Sequence, residues 1–213
     1  MEPGKEIRAG YSETDLSPSE FSHSAWSSTQ PVHITQLWSG EQAPASRHAE
    51  VRVIWSDAAM CVRFICNQQE PLTISRSPKI DVKTIGLWNR DVCEIFVAPD
   101  ADQPQRYLEF EAAPTGEWVD LTLDTKAAPH LKDFKFQSGM TVAAFIEEGR
   151  ITICMRIPWS ESLPKPRPGD EWRANLFRCV GVGNERYLAW QPTGTEEPNF
   201  HVPEVFGWLR FDA

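Results

Sequence analysis

The chain has 213 residues, of which 41% are hydrophobic and 11% aromatic, so it is long enough to bury a core and is not of disordered composition. Its formal charge of −9 argues against nucleic acid and anionic membranes as partners, since both need a basic patch. No apolar run approaches the roughly 20 residues that span a bilayer.

The sequence divides into a polar leader, residues 1–25, and a single domain, residues 26–213. The leader lacks the apolar segment of a secretory signal, so we expect either a cytoplasmic protein or one whose export segment has been removed. Five cysteines all fall inside apparent strands, and none forms a Cys-x-x-Cys pair. This pattern predicts buried free thiols rather than a zinc site.

Short apolar segments separated by turn residues follow Trp26, and none shows the 3.6-residue period of a helix. Strands are predicted at Val32–Leu37, Glu50–Trp55, Met60–Cys66, Asp91–Val97, Tyr107–Ala112, Glu117–Leu123, Met140–Ile146, Arg150–Ile157, Glu171–Val180, Arg186–Trp190 and Gly207–Phe211. This spacing is typical of a β-sandwich or a jelly roll. The irregular connection over residues 67–87 is long enough to be functional or to wrap over the core.

The segment Trp88 to Phe96 places a carboxylate on an apolar strand face, because Glu94 lies between Val92 and Phe96 at period 2. Burying a carboxylate is costly unless it is paired or faces a polar ligand. A tryptophan plate beside an acceptor is what a sugar-binding cleft needs. The alternative is an internal ion pair between Glu94 and an arginine, with Trp88 covering the end of the sheet.

Polar side chains also share a face in the middle strands. Alternation groups Tyr107, Glu109 and Glu111 against Leu108, Phe110 and Ala112, and groups Trp118, Asp120 and Thr122 against Val119, Leu121 and Leu123, which we expect to face the core. Such a face suits hydroxyl recognition, since carboxylates and amides bind hydroxyls while rings stack on C–H faces. An ion-pair ladder between strands would have the same composition.

A proline-bracketed loop, residues 198–204, carries Asn199 and His201 and is stiff enough to form a binding rim. A lone histidine such as His201 is an acid, base or ligand less often than a packed structural residue, and His23, His33, His48 and His130 show no ligand spacing. No nucleophile elbow, zinc-protease, phosphate-loop or dinucleotide motif occurs. Residue types alone do not exclude glycoside hydrolysis.

Several ordered motifs resemble the family 9 carbohydrate-binding modules. They are Trp88-x-Arg90-Asp91-x-x-Glu94-Ile-Phe96, Tyr107-Leu-Glu109-Phe110-Glu111, Gly116-Glu-Trp118-Val-Asp120-Leu121, Ile157-Pro158-Trp159, Trp172-x-x-Asn175-x-x-Arg178, Ala189-Trp190-x-Pro192-Thr193 and Pro198-Asn199-Phe200-His201-x-Pro203-Glu204-x-Phe206-Gly207. The resemblance implies a DOMON-like, immunoglobulin-type or jelly-roll β-sandwich of two antiparallel sheets. It also implies non-catalytic saccharide binding in bacterial modules that accompany polysaccharide hydrolases and are secreted or periplasmic.

The same resemblance implies the binding residues, with no catalytic residue and no metal ligand. In this family two tryptophans hold the sugar, so Trp88 is the first plate and Trp190 the second, and Glu94 is the acceptor. Arg90, Glu109, Asn175 and Arg178 complete the predicted contacts. Some members bind structural calcium, for which Asp100-Ala101-Asp102 is the candidate here, although a solvated turn explains that loop equally well.

Two other functions compete with saccharide binding. A haem or redox domain would need an axial pair drawn from Met60, Met140, Met155 and His201. A small glycoside hydrolase would use Glu109 or Asp120, whereas a binding module predicts no pocket carboxylates at the separation of a glycosidase.

Overall fold

The computed structural model describes residues 5–127 and 131–213, so His130 lies outside the described residues. Within these ranges the chain is all-β, as predicted, and contains fourteen strands and five short 3-10 helices. The strands are β1 (Glu6–Tyr11), β2 (Val32–Ile34), β3 (Gln36–Leu37), β4 (Ala49–Trp55), β5 (Ala59–Asn67), β6 (Val92–Ala98), β7 (Arg106–Ala112), β8 (Trp118–Asp124), β9 (Leu131–Asp133), β10 (Thr141–Glu147), β11 (Arg150–Pro158), β12 (Glu171–Cys179), β13 (Tyr187–Ala189) and β14 (Gly207–Phe211). The 3-10 helices are Ser24–Ser28, Ala45–Arg47, Leu87–Asn89, Asn184–Arg186 and Pro203–Val205. The described part of the chain has no helix that is long and apolar enough to cross a membrane.

The fourteen strands form one curled, mixed sheet, and eleven of them follow the order β10-β11-β5-β4-β1-β14-β12-β6-β7-β8-β9. Of the other three, β2 pairs with β4, and β13 pairs with β12 and β3. β1 makes the sheet continuous. Its residues Glu6–Ala9 pair in parallel with β14, whereas Gly10 and Tyr11 pair in parallel with β4. The all-β prediction is confirmed, but the division into two antiparallel sheets is not, because β1 joins both halves through parallel pairing.

Three apolar clusters stabilise this sheet. The largest fills the inside of the curl and brings Phe64 and Ile153 into one core with Ile95 and Phe110. A second cluster lies on the other face of β6, β7, β8 and β12 and includes Phe96 and Phe177. The five cysteines are buried and free, as predicted.

The third cluster covers the outer face of β4, β5 and β11 with residues that precede β2. Leu16 and Trp26 are buried there against Ile54 and Cys61. The Trp26 indole donates to the Glu20 carbonyl oxygen over 3.0 Å, which fixes the wrapped segment. Part of the predicted leader is therefore packed on the sheet and contributes β1, although the boundary between residues 25 and 26 stays a prediction.

Strand register corrects one predicted sheet face. Glu109 pairs with Leu121 and Glu111 pairs with Val119, so these four side chains leave the sheet on the same side. Asp120 pairs with Phe110 and points into the main core instead. The expectation that Asp120 shares a face with the glutamates of β7 is wrong, because register, which alternation within one strand does not reveal, decides which faces coincide.

Asp120 anchors the long connection over residues 67–87. Its carboxylate lies 2.5 Å from Lys83 Nζ and accepts hydrogen bonds from Ser138 N and Oγ, both over 2.6 Å. The Lys83 ammonium also donates to the carbonyl oxygens of Asp120, over 2.6 Å, and of Phe134, over 3.1 Å. The connection therefore wraps over the sheet and fixes the backbone at Phe134.

We expect Asp120→Asn to lower the free energy of unfolding by about 3 kcal/mol or more, because it leaves the Lys83 ammonium buried without its counterion. Urea unfolding of the two proteins measures the difference. The control is Asp57→Asn, which removes a solvent-exposed ion pair to Lys165 (2.7 Å) and should leave the unfolding midpoint unchanged. Equal effects of the two substitutions would contradict a stabilising role for the buried pair.

Candidate functional site

A cavity of about 240 Å³ lies on the outer face of β6 and β7, opposite the main core. Its aromatic lining consists of Trp88, Phe96, Phe134, Tyr187 and Phe200. Its polar lining consists of Glu94, Glu109, Glu111, Lys132, Cys179, Asn199 and His201, and Leu121 and Pro198 complete it. The cavity thus combines flat apolar surfaces with hydrogen-bonding groups that converge on one space.

Three glutamates from two neighbouring strands, Glu94, Glu109 and Glu111, form what we call the carboxylate floor. Glu94 and Glu111 are direct partners in the β6–β7 register, so their side chains lie side by side on one face. One oxygen from each of the three carboxylates lies within 4.8 Å of the other two. The residues are 2%, 4% and 0% exposed, in chain order. Both oxygens of Glu111 and Oε2 of Glu109 are buried and receive no hydrogen bond from described residues outside the floor. Glu109 and Glu111 hydrogen-bond each other through a shared proton.

Burial of the carboxylate floor favours the protonated acids. It raises the pKa of Glu94 to about 8, and the neighbouring negative charge of Glu109 adds to this shift. The pKa values of Glu109 and Glu111 are also raised, mainly by burial. The Cys179 thiol donates to Glu94 Oε1 over 3.5 Å, which opposes part of the shift. The three floor acids are therefore more readily protonated than exposed glutamates are.

The aromatic lining is held in place by ring contacts. Trp88, on the 3-10 helix Leu87–Asn89, and Phe134 are nearly parallel, at 28°, with centroids 6.3 Å apart. Phe200 stacks on the buried Phe177 at 4.0 Å and meets the Tyr187 ring edge-on at 5.9 Å. The lining residues themselves are half-buried, except for the buried Phe96, so their faces remain open to a ligand.

His201 ties the proline-bracketed loop to β7 and β9. Lys132 Nζ lies 3.0 Å from His201 Nε2, and because an ammonium only donates, Nε2 accepts and a neutral His201 carries its proton on Nδ1. Nδ1 then donates to the Tyr107 hydroxyl oxygen over 2.8 Å. The prediction that this loop forms a rim matches its position, since Pro198, Asn199, Phe200 and His201 all line the cavity.

Of the seven predicted binding residues, the structure brings Trp88, Glu94 and Glu109 together in the cavity. Arg90 does not line it, because its guanidinium pairs with Glu117 over 2.9 Å. Trp190 is 7% exposed and packs in the main core, where its ring lies so close to Gly207 that a Cβ there would clash. It therefore cannot stack on a ligand in this cavity.

Asn175 and Arg178 also do not line the cavity, because their side chains bind backbone groups. The Asn175 amide clamps the backbone of Gln191, donating to its carbonyl over 2.8 Å and accepting from its N–H over 3.0 Å. Arg178 leaves β12 on the inner face. It donates to the carbonyl oxygens of Arg47 and Asn67, over 2.7 and 2.8 Å. Both side chains satisfy buried backbone groups instead of facing the cavity.

The structure bears on two further expectations, the candidate calcium loop and the haem alternative. Asp100 accepts from Asp102 N over 3.0 Å and from Gln103 Nε2 over 2.7 Å, so the candidate calcium loop is closed on itself as a turn. Among the described residues, the carboxylate floor is the group of three or more side chains close enough to share a metal ion. The haem alternative lacks its axial pair within the described residues, because Met60, Met140 and Met155 lie in the main core, across the sheet from His201.

Sequence reasoning missed several lining residues. Glu111 shares a strand face with Glu109, and this was the available signal, but two acids at i and i+2 also describe an ordinary solvated strand. Phe134 and Lys132 follow residues that show no strand pattern, and Tyr187 lies on the short β13. Only pairing between distant segments brings these residues to the cavity.

The chain matches the model of a protein family described as carbohydrate family 9 binding domain-like, over residues 20–212. A curated relative is an extracellular protein of the fungus Arthroderma benhamiae, which is 23% identical over 177 residues and covers 76% of this chain and 77% of its own.

Solved structures show the same fold at low identity. A candidate carbohydrate-binding protein from Bacteroides uniformis superposes with a TM-score of 0.74 at 17% identity, covering 98% of this chain and 99% of its own. A family 9 carbohydrate-binding module from Caldicellulosiruptor kristjanssonii gives TM-scores of 0.69 in its complex with cellotriose and 0.64 in its complex with glucose. Both superpositions are at 15% identity and cover 98% of this chain and 94% and 96% of the module.

We expect the ligand-free protein to lose stability as the pH rises from about 4.5, the usual pKa of Glu94, to about 8, its pKa in the fold. The folded state binds more protons than the unfolded state in this window, so raising the pH favours unfolding. Glu94→Gln keeps the shape without titrating, and its unfolding temperature should fall less between pH 5 and pH 8.5. The control is the exposed Glu148→Gln, which should follow the wild type. A Glu94→Gln variant with the slope of the wild type would contradict the assignment.

Proposed function

Because the chain belongs to the carbohydrate family 9 binding domain-like family, we propose that it binds a saccharide in the cavity between Trp88 and the carboxylate floor, without catalysing a reaction. The family is non-catalytic in general. The bound sugars of the Caldicellulosiruptor module, cellotriose and glucose, support the class of ligand.

The observation that carries the proposal is the cavity itself. Half-buried indole and phenyl faces meet buried carboxylate oxygens, three of which receive no hydrogen bond from outside the carboxylate floor within the described residues. A sugar ring has complementary surfaces, because its C–H faces pack on aromatic rings and its hydroxyls donate to carboxylates. Among the described residues, the fully buried Glu111 hydrogen-bonds only another acid, Glu109, and a ligand donor in the cavity would satisfy the remaining oxygens.

Cavity size restricts the ligand to about one sugar unit. A volume of about 240 Å³ is below the roughly 300–1,000 Å³ of sites for drug-sized molecules. We therefore propose that one monosaccharide, or one residue of a longer saccharide, occupies the cavity. We further propose a DOMON-like sandwich and a role linked to polysaccharide breakdown, with neither nucleic acid nor membrane as partner.

The spacing of the carboxylates bears on the alternative of glycoside hydrolysis. A binding module is expected to lack pocket carboxylates at glycosidase separation. The floor oxygens lie within 4.8 Å of one another, whereas retaining enzymes place their carboxyl groups about 5–5.5 Å apart. Hydrolysis also needs one acid that stays ionised beside one that stays protonated. Here burial raises the pKa of Glu94, Glu109 and Glu111, a direction that favours the protonated form of each acid over the ionised partner that hydrolysis requires, so the site supports binding better.

We expect Trp88→Ala to weaken the binding of glucose or cellotriose by about 1–3 kcal/mol, as comparable stacking contacts contribute this much. Isothermal titration calorimetry measures the change, and the unfolding temperature should stay close to that of the wild type because Trp88 is only half-buried.

The matched control for this experiment is Trp208→Ala. Trp208 is another half-buried tryptophan, which lies under the Arg173 guanidinium at 4.6 Å and does not line the cavity. Sugar affinity should survive its removal. A Trp88→Ala protein that melts far below the wild type but keeps its affinity would place Trp88 in the core and refute the site.

A further inference from the structure

The carboxylate floor gathers three acids that burial keeps protonated and that a bound cation would ionise. It presents six oxygens, and three of these, both of Glu111 and Oε2 of Glu109, are buried and receive no hydrogen bond from described residues outside the floor. Among the described residues, Glu109 and Glu111 hydrogen-bond only each other, through a shared proton. A neutral hydroxyl donates one hydrogen bond and brings no charge. Hydroxyl recognition alone therefore explains neither the number of the acids nor their concentration at one point.

The described residues supply little positive charge to this floor. The nearest cationic group is the His201 ring, whose Nδ1 lies 3.9 Å from Glu109 Oε2, and it is charged only when protonated. Lys132 is exposed at the rim, where its ammonium contacts His201 Nε2. Among the described residues, no lysine or arginine lies within 4.0 Å of a floor carboxylate. Lys132 acts on all three acids, and Arg186 on Glu94, only from beyond this distance, so no described lysine or arginine is a contact counterion of the floor.

A primary ammonium group has the properties that the floor lacks. It carries one positive charge and three N–H donors, which match one acceptor oxygen from each of the three glutamates. Hydrogen bonds between ionised groups are about twice as strong as neutral ones. The surrounding rings of Trp88 and Phe134 favour a cation as well, since aromatic faces attract positive charge.

A divalent metal ion fits the surroundings less well. Calcium takes six to eight oxygen ligands, so the six floor oxygens would suffice only if every carboxylate bound through both oxygens, and the aromatic lining above the floor adds few more. A ligand that combines an ammonium with a ring would use both the acids and the aromatic faces.

We infer that this cavity selects an aminated saccharide, with the primary ammonium on Glu94, Glu109 and Glu111 and the sugar ring against Trp88. The inference rests on the proposed function and narrows it from saccharides in general to amino sugars. The ammonium of the bound ligand would then replace the protons of the floor acids, and the three carboxylates would be ionised in the complex.

Isothermal titration calorimetry near pH 7 with glucosamine, glucose and N-acetylglucosamine tests the inference. Glucosamine should bind roughly tenfold more tightly than glucose or more, and also more tightly than N-acetylglucosamine, whose nitrogen is uncharged. In Glu111→Gln the ratio of glucosamine to glucose affinity should fall towards one, because one acid is replaced by a neutral amide of the same shape. Glu148→Gln is the control and should keep the wild-type ratio. If Glu111→Gln does not fold, Glu109→Gln replaces it.

The outcomes separate the inference from the proposed function. If glucose or N-acetylglucosamine binds as tightly as glucosamine, the inference is overturned, but the proposed saccharide binding is not. If neither glucose nor glucosamine binds, the proposed function falls too. Calcium chloride alone is titrated as a further arm, and calcium binding that is lost in Glu111→Gln would assign the floor to a metal and overturn the inference.

Discussion

The cavity and its acids depend on the β6–β7 register. This register places the Glu94 and Glu111 carboxylates side by side on a sheet face that is otherwise covered by apolar side chains. Ionised acids in such a position repel each other and lose their hydration. The fold tolerates them by letting them hold protons and by leaving a cavity over them. The same two strands bury Ile95 and Phe110 on their other face, so the register cannot slip without exposing the core.

The cavity is assembled from segments that are far apart in the chain. Lys83, in the long connection, fixes the carbonyl of Phe134, while Phe200 is held by stacking on Phe177. Polar residues that looked available for ligands are used in this assembly instead. Asn175 holds the segment that follows β13, and Arg178 joins β12 to the turn before β4. The cavity is therefore supported by buried hydrogen bonds as well as by apolar packing.

Sequence patterns were sufficient for the fold class and for most strands. Period-2 alternation placed β4 to β8 and β10 to β12 to within one or two residues, because these strands are long and lie on an apolar core. β1 and β9 were missed. β1 lies in a polar segment and is defined by its parallel partners, and the exposed β9 has only three residues. Short edge strands owe their conformation to pairing with neighbours rather than to their own residues.

For the site, the sequence located one wall and part of the floor, through Trp88, Glu94 and Glu109. It also assigned Trp190 to the ligand, because the sequence near the last strands does not distinguish an exposed tryptophan from a buried one. Likewise, Asp120 was grouped with Glu109 by alternation, whereas the β7–β8 register places the two on opposite faces. Information of this kind resides in the pairing of strands and not in any single strand.

The divided pairing of β1 has a mechanical consequence. One end of this strand is hydrogen-bonded to β14 and the other end to β4. The half of the sheet that carries the cavity therefore cannot separate from the half that carries β5 and β11 unless the hydrogen bonds of β1 to one of these partners break. The two halves should therefore melt in a single cooperative step. Free energy gained by occupying the cavity would then protect amide hydrogens as far away as β11 from exchange with solvent.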